Sequence, residues 1–153
     1  MSLILDSIKA SIDFEYECMQ FMLQLLQQEE SALIEDHFDL IEELTALKNN
    51  IVAQLQSSAE KRFELFEQIQ DGTQSFTEWL NEENHQELYN SWTKLMKVTS
   101  QAKEINSTNG LILNQLAVRN QRFLSFLKGE NDASLYGPDG LNMTNSLGSI
   151  IKG

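Results

Sequence analysis

Cysteine, proline and basic side chains are scarce in this sequence, and each shortage excludes a class of protein. The 153 residues include one cysteine, Cys18, and one proline, Pro138. A lone cysteine cannot form an internal disulfide, so nothing indicates a disulfide-stabilised secreted scaffold. The 11 basic side chains stand against 23 acidic ones, which gives a net charge of −12. Because a polyanion would be repelled by such a chain, we expect no nucleic-acid partner.

Long apolar runs are also missing. The densest apolar stretch, residues 21–26, is interrupted by Gln24. A membrane-spanning helix needs roughly 18 consecutive apolar residues, so we expect no membrane insertion. Together with the single cysteine, this favours a cytoplasmic location.

Glycine is nearly absent from the first 128 residues, where only Gly72 and Gly110 occur. Glycine and proline are the residues that most often interrupt helices. Their concentration after residue 128 therefore predicts two parts, a helical body over 1–128 and a flexible C-terminal tail over 129–153. The body is short enough to be a single domain.

Apolar residues recur along the body at alternating intervals of three and four, which is typical of amphipathic helices that pack together. A first row consists of Leu5, Ile8, Ile12, Glu15, Met19, Met22, Leu26, Glu29 and Leu33. A neighbouring row consists of Phe14, Cys18, Phe21 and Leu25. The two rows together make an apolar face wide enough for a bundle of three or more helices.

Two further long helices follow. The second is expected between an N-cap at Asp36 and a stop at Asp71-Gly72, with an apolar row of Leu40, Leu44, Leu47, Ile51, Leu55, Ala59, Phe66 and Ile69. The third is expected over about 83–128, capped by Asn84 with Glu87 and roughly 65 Å long. Its row is Leu88, Trp92, Leu95, Thr99, Ala102, Asn106, Asn109, Leu113, Leu116, Asn120, Phe123 and Leu127.

A capping-box pattern predicts a short helix between the second and third long helices. Ser75 is followed three residues later by Glu78, and Phe76, Trp79 and Leu80 would form a hydrophobic plug. The expected fold is therefore all-α, an elongated antiparallel bundle of three long helices plus one short helix, with the tail attached. Because the third helix is the longest, we expect its end to project beyond the bundle or to be covered by the tail.

Charge is divided unevenly between these parts. Residues 1–71 hold 15 acidic and 4 basic side chains, a net charge of −11, whereas residues 72–128 hold 5 and 6, a net charge of +1. The third helix can therefore pack against the acidic first and second helices without repulsion between like charges.

Catalytic and metal-binding patterns are weak. A di-iron carboxylate bundle needs two Glu-x-x-His pairs, and Glu82-x-x-His85 is one such pair. The other histidine, His37, follows Ile34 at that spacing, so the second pair is missing. Cys18 lies in an apolar row, where cysteine is usually structural. We expect no metal, no cofactor and no enzymatic activity.

The run Asn106-Ser107-Thr108-Asn109-Gly110 places two asparagines and a glycine on the third helix. One interpretation is a polar layer that aligns three helices, with a glycine that permits close packing. The other is a hinge that lets residues 111–127 move toward a partner, because glycine lowers helix propensity by about 1 kcal/mol relative to alanine.

The tail carries the run Leu135-Tyr136-Gly137-Pro138-Asp139-Gly140. Pro138 suits the second position of a type I turn and Gly140 the fourth, so a tight turn would present Tyr136 beside Leu135. Tyrosine is enriched at interaction hot spots, and we interpret this run as a recognition motif in preference to an ordinary turn.

Over nearly its whole length the chain resembles the FlgN family of flagellar export chaperones. The segments that carry the resemblance are Glu29-Glu30-Ser31-Ala32-Leu33, Leu44-Thr45-Ala46-Leu47-Lys48, Glu60-Lys61-Arg62, Asn106-x-x-Asn109-Gly110 and Tyr136-Gly137-Pro138-Asp139-Gly140. The ordered combination of the last two is the most specific part.

The resemblance implies a cytosolic, non-enzymatic chaperone for the hook-filament junction proteins FlgK and FlgL before their export. In such a family the C-terminal part of the chaperone engages an amphipathic helical segment of the cargo. By position, this implies a cargo surface formed by Ile112, Leu116, Phe123, Leu124, Phe126 and Leu127. Docking on the export gate would fall to Leu135, Tyr136, Gly137 and Pro138.

Three alternatives remain open from the residues alone. The chain could be a helical adaptor or secretion chaperone for another cargo. It could form a homodimer when cargo is absent. A carboxylate-metal enzyme would require stoichiometric iron or manganese in the purified protein.

Overall fold

Three long helices and one short helix make up the part of the chain that the structure describes. The computed structural model describes residues 2–70 and 72–128, most of them with their side chains. The long helices are α1 (Ser2–Ile34), α2 (Phe38–Ile69) and α4 (Gln86–Lys128). The short helix α3 (Phe76–Leu80) and a 3₁₀ turn (Glu83–His85) connect α2 to α4. The expected all-α bundle of three long helices and one short helix is confirmed.

The side-chain contacts between helices give their directions. Arg62 and Lys48 of α2 bond Glu15 and Glu29 of α1 respectively, so residue numbers fall along α2 as they rise along α1. Asn109 of α4 bonds Glu29, while Trp92 lies against Arg62 near the opposite end. The bundle therefore runs up, down and up, with α4 parallel to α1.

α1 supplies the central row of the core, and the predicted row is almost entirely correct. All of its members except the half-buried Leu5 are buried. The neighbouring row is only half correct, since Cys18 and Leu25 are buried but Phe14 and Phe21 are each 43% exposed. The apolar face of α1 is therefore wider than the bundle covers.

α2 differs from its predicted row in both directions. Leu40 and Leu47 are exposed, although both were expected in the core. Lys48 and Arg62 are buried instead. These two cations are buried because each faces a carboxylate of α1, and apolar spacing alone does not reveal such a partner.

The turn between α1 and α2 was expected to contain an N-cap at Asp36, and this is wrong. Asp36 adopts a left-handed backbone conformation with φ of 60°. The backbone N–H of His37 donates to the carbonyl of Ala32 at 2.8 Å, which closes α1 with the hydrogen bond of a Schellman motif. His37 is the N-cap of α2 and makes no side-chain capping bond. Asp36 therefore ends α1 at the position where glycine is most common.

The connection from α2 to α4 follows the predicted capping box. α2 ends at Ile69, three residues before Gly72, whose φ is 87°. The backbone N–H of Glu78 donates to the Ser75 hydroxyl at 3.2 Å, and the Ser75 N–H donates to the Glu78 carboxylate at 3.3 Å. Phe76, Trp79 and Leu80 are buried, so α3 is the expected plug.

The start of α4 differs from the predicted cap at Asn84. Asn84 is exposed and lies in the 3₁₀ turn, and α4 begins two residues later at Gln86. Phe76 of the plug packs edge-on against Trp92 at a centroid distance of 4.9 Å, which secures the first turns of α4 to the bundle.

The largest fully buried side chain in the described part of the protein is Arg62. Its Nε and Nη2 donate to the two carboxylate oxygens of Glu15 at 3.0 and 3.1 Å. Its guanidinium carbon lies 4.8 Å from the centre of the Trp92 ring and 5.4 Å from that of Phe76. Arg62 therefore joins α1, α2, α3 and α4 at one level of the bundle.

Loss of the Arg62 guanidinium should be much more destabilising than loss of the whole ion pair. Arg62→Met leaves the Glu15 carboxylate buried without its cation, so we expect the free energy of unfolding to fall by about 3–5 kcal/mol. The double variant Glu15→Leu, Arg62→Met removes that charge and should recover a large part of the loss. Urea unfolding followed by circular dichroism measures both variants.

The neighbouring residue provides the control. Lys61 is exposed, and Lys61→Met removes the same formal charge from the same helix, so it should leave stability almost unchanged. A double variant as unstable as Arg62→Met would contradict the assignment of the loss to an unpaired buried charge.

Candidate partner-binding surfaces

A second buried ion pair lies toward the other end of the bundle and includes α4. Nζ of Lys48 donates to one carboxylate oxygen of Glu29 at 2.5 Å. Nδ2 of Asn109 donates to the other at 2.9 Å and to the carbonyl of Leu26 at 3.0 Å. Asn106 is buried one helical turn before Asn109. Asn109 therefore belongs to a polar layer shared by α1, α2 and α4.

Gly110, next to this layer, has open space beside it within the described part of the chain. A Cβ atom built on Gly110 would meet none of the described atoms within 4 Å outside its own helix backbone. The described residues therefore do not support the interpretation of Gly110 as a close-packing residue. Of the two interpretations of this residue, the hinge is the one left for testing.

α4 continues past the end of α1. Asn109 lies opposite Glu29, and α1 ends five residues later at Ile34. At about 1.5 Å per residue, α4 is level with the end of α1 near residue 114 and runs roughly 20 Å further to Lys128. Side-chain burial falls along this part of α4. The predicted row is buried as far as Asn109, whereas Leu113 and Leu116 are half-buried and Asn120 is exposed.

The final part of α4, residues 111–128, is called the α4 end below, and it carries the candidate cargo residues. Ile112 and Leu116 are half-buried, and Ala117 is buried. Leu111 is 64% exposed, and Val118 is also exposed. Phe123, Leu124, Phe126 and Leu127 lie on the helix backbone of α4, but the structure does not describe their side chains.

Two exposed apolar residues at the same end of the bundle were not among the predicted site residues. Ile34, the last residue of α1, is 68% exposed, and Phe38, the first residue of α2, is also exposed. The apolar spacing of α1 indicated that Ile34 is exposed, because Ile34 follows Leu33, the last member of the buried row, and adjacent residues of a helix point in different directions. Ile34 and Phe38 extend the apolar surface of this end beyond α4.

The charge of the α4 end is opposite to that of the α1–α2 hairpin. Residues 105–128 contain no acidic side chain. Arg119 and Arg122 are exposed there. The α4 end is therefore an apolar helix with a basic margin, joined to an acidic hairpin.

The residues expected to dock on the export gate belong to the tail. Leu135, Tyr136, Gly137 and Pro138 lie outside the described residues.

The candidate metal and nucleophile residues are held in structural contacts. Nε2 of His85 lies 3.4 Å from a carboxylate oxygen of Glu82, and the His85 ring packs on Trp79 with centroids 4.1 Å apart. Within residues 2–70 and 72–128, no three His, Cys, Asp or Glu side chains form a group that could hold a metal. Cys18 is buried, and this burial raises the pKa of its thiol, with smaller contributions from Glu15 and Glu17.

None of the helices within residues 2–70 and 72–128 is both long and apolar enough to cross a membrane.

Comparison with known proteins identifies the family. A family model described as FlgN protein matches residues 1–144. The chain is also 25% identical over 139 residues to the flagella synthesis protein FlgN of Proteus mirabilis, and the match covers 90% of each chain. No solved structure matches the chain. The family match spans the whole bundle and reaches past the Leu135–Pro138 run, and on this basis the chain belongs to the FlgN family.

Proposed function

We propose that this protein is a flagellar export chaperone without enzymatic activity, which works in the cytoplasm. The observation that carries the proposal is the family match over residues 1–144. The name of the similar Proteus mirabilis protein, a flagella synthesis protein, supports the same process. The proposed cargo is the pair of hook-filament junction proteins FlgK and FlgL.

In this proposal the α4 end binds the cargo. Its exposed and half-buried apolar residues include Leu111, Ile112 and Leu116, and Ile34 and Phe38 extend the surface at the same end. An amphipathic cargo helix could cover these side chains by packing along α4, a mode of binding that needs no nucleotide. The remaining proposed contacts are Phe123, Leu124, Phe126 and Leu127.

Residues 129–153 have a separate role in the proposal. Residues 1–128 form the chaperone body, and the tail docks on the export gate through Leu135, Tyr136, Gly137 and Pro138. The support is chemical, since an amphipathic aromatic side chain next to a Pro-Asp-Gly turn suits a short recognition motif. Without cargo, the apolar α4 end is available to a second copy, so the proposal includes a homodimer that cargo displaces.

Calorimetric titration with a C-terminal fragment of the cognate FlgK or FlgL tests the cargo. We expect micromolar or tighter binding by the full chain and by a chain truncated after Lys128, because the proposed contacts lie on the helices. Sedimentation velocity with and without the fragment measures the homodimer. Absence of binding to either form would favour an adaptor for another cargo. Binding by the full chain but not by the truncated chain would mean that the cargo site lies in the tail.

Phe123→Asp should abolish cargo binding without loss of helicity, because a charge would interrupt the proposed apolar surface. Phe63→Asp is the matched control, since Phe63 is 45% exposed on α2 and lies outside this surface. Calorimetry and far-ultraviolet circular dichroism measure the two effects. Reduced helicity in Phe123→Asp would mean that Phe123 is a core residue and that the proposed surface is misplaced.

Tyr136→Ala should leave cargo affinity near that of the unmodified chain and weaken binding to the purified cytosolic part of the export gate. The reason is that the tail and the α4 end are proposed to carry different contacts. Equal losses in the two binding assays would contradict this division.

Gly110→Ala tests the hinge. Alanine meets no steric obstacle at this position and should raise the free energy of unfolding by about 1 kcal/mol. If cargo binding needs the helix to bend at Gly110, the stabilised variant will bind cargo more weakly. Ser107→Ala, at an exposed position on the same helix, controls for helix propensity. Unchanged cargo affinity in Gly110→Ala would exclude the hinge.

A further inference from the structure

An open groove follows the outer side of the α1–α2 hairpin, at the level of the first half of α1. Small and polar residues line most of it, and Phe14 is the large apolar side chain that it exposes. Its volume is about 590 Å³, and its lining consists of Ser7, Ala10, Ser11, Phe14, Ala53, Gln54, Ser57, Ser58 and Lys61.

A second groove lies on the same side of the hairpin, near the turn. Its volume is about 490 Å³, and its lining consists of Gln24, Gln27, Gln28, Ser31, Ala32, Glu35, His37 and Leu40. The two grooves share one helix face, because Phe14 and Gln28 are two heptads apart on α1 with Phe21 midway between them. On α2, Leu47 lies midway between Leu40 of one groove and Gln54 of the other.

This face, called the hairpin groove below, carries four exposed large apolar residues. Phe14 and Phe21 contribute from α1, and Leu40 and Leu47 contribute from α2. α4 leaves them uncovered, since each of the four is between 37% and 45% exposed. From Ser7 to Glu35 the face spans roughly 40 Å, with one groove toward each end and Phe21 and Leu47 between them, which is enough for a partner helix of several turns. Within residues 2–70 and 72–128, no helix packs on this face, and a fourth helix could pack there as in a four-helix bundle.

The margins of the hairpin groove are acidic. Glu17 and Glu35 are exposed on the groove face of α1, and Glu43, Glu60 and Glu64 are exposed on the adjoining face of α2. Lys61 lines the first groove and His37 the second. The hairpin as a whole is also acidic, since residues 1–71 hold 15 acidic and 4 basic side chains.

We propose that the hairpin groove docks an amphipathic helix of another protein, in which lysine or arginine residues flank the apolar side. The apolar residues of that helix would cover Phe14, Phe21 and Leu47, and its cations would meet the acidic margins. Charge complementarity selects this partner over a second copy, because pairing two hairpins through this face would bring two charges of −11 together. The site is distinct from the α4 end and does not depend on the proposed cargo.

Fluorescence anisotropy with labelled model peptides tests the site. The probe is a three-heptad helical peptide of leucine and lysine, and a scrambled peptide of the same composition is its control. We expect the unmodified chain to bind the amphipathic peptide more tightly than the scrambled one. Equal affinity for the two peptides would mean that charge alone attracts them, which would overturn the proposal.

Substitutions locate the peptide on the protein. Phe21→Asp and Leu47→Asp should each weaken binding of the amphipathic peptide by about ten-fold, the order expected for loss of one interfacial anchor. Each substitution adds a negative charge, which by itself would strengthen the attraction to a basic peptide. Weaker binding by either variant would therefore be due to loss of the apolar contact. Phe63→Asp adds the same charge at a similarly exposed position of α2 outside the groove and should not weaken binding. Circular dichroism checks that each variant remains folded.

Three further comparisons separate the possible occupants. Leu116→Asp, on the α4 end, should leave peptide binding unchanged. If Leu116→Asp weakened peptide binding and Phe21→Asp did not, the peptide would lie on the α4 end. A chain truncated after Lys128 should bind the peptide as tightly as the full chain, and much tighter binding would mean that the tail fills the groove. A dimer that dissociates in Phe21→Asp, measured by sedimentation velocity, would mean that a second copy fills it. Any of these three results would overturn the proposal.

Discussion

Two buried ion pairs determine how α1 and α2 lie against each other. Glu15 and Glu29 are two heptads apart on α1, and Lys48 and Arg62 are two heptads apart on α2, so a single antiparallel register satisfies both pairs. A slip of one helical turn would separate both at once and leave four charges buried without partners. The cost of an unpaired buried charge is several kcal/mol, whereas an apolar seam of similar leucines tolerates alternative registers far better. The pairs therefore give the hairpin a unique alignment.

The position of the third long helix follows from that alignment. Asn109 reaches the same carboxylate that holds Lys48, and Arg62 lies against Trp92, so each ion pair also contacts α4. With α4 held at these two levels, its greater length has to extend past the α1–α2 turn. The exposed apolar residues near that turn, Ile34 and Leu111 among them, are a consequence of this geometry. A surface available to partners thus arises from helix length and register, with no separate domain to carry it.

The sequence predicted the architecture well because the fold depends on patterns that are local in the chain. Helical periodicity identified almost the whole buried row of α1, and the Ser75–Glu78 box identified the start of α3. The errors arose where a residue's environment depends on another helix. Phe14 and Phe21 have the spacing of core residues, but no described helix packs over them. The partners of Glu15 and Glu29 could have been found by searching α2 for two cations at the same two-heptad separation.

The distribution of charge determines how the two proposed surfaces would select their partners. A basic amphipathic helix is attracted to the acidic hairpin and repelled by Arg119 and Arg122 on the α4 end, whereas an acidic or neutral helix experiences the reverse. Both surfaces offer similar aliphatic and aromatic side chains, so apolar contact alone would discriminate poorly between them. The opposite charges supply the missing discrimination, because a helix seated on the wrong surface places like charges together. Separate sites for two helical partners can therefore coexist on a chain in which both sites are built from the same helices.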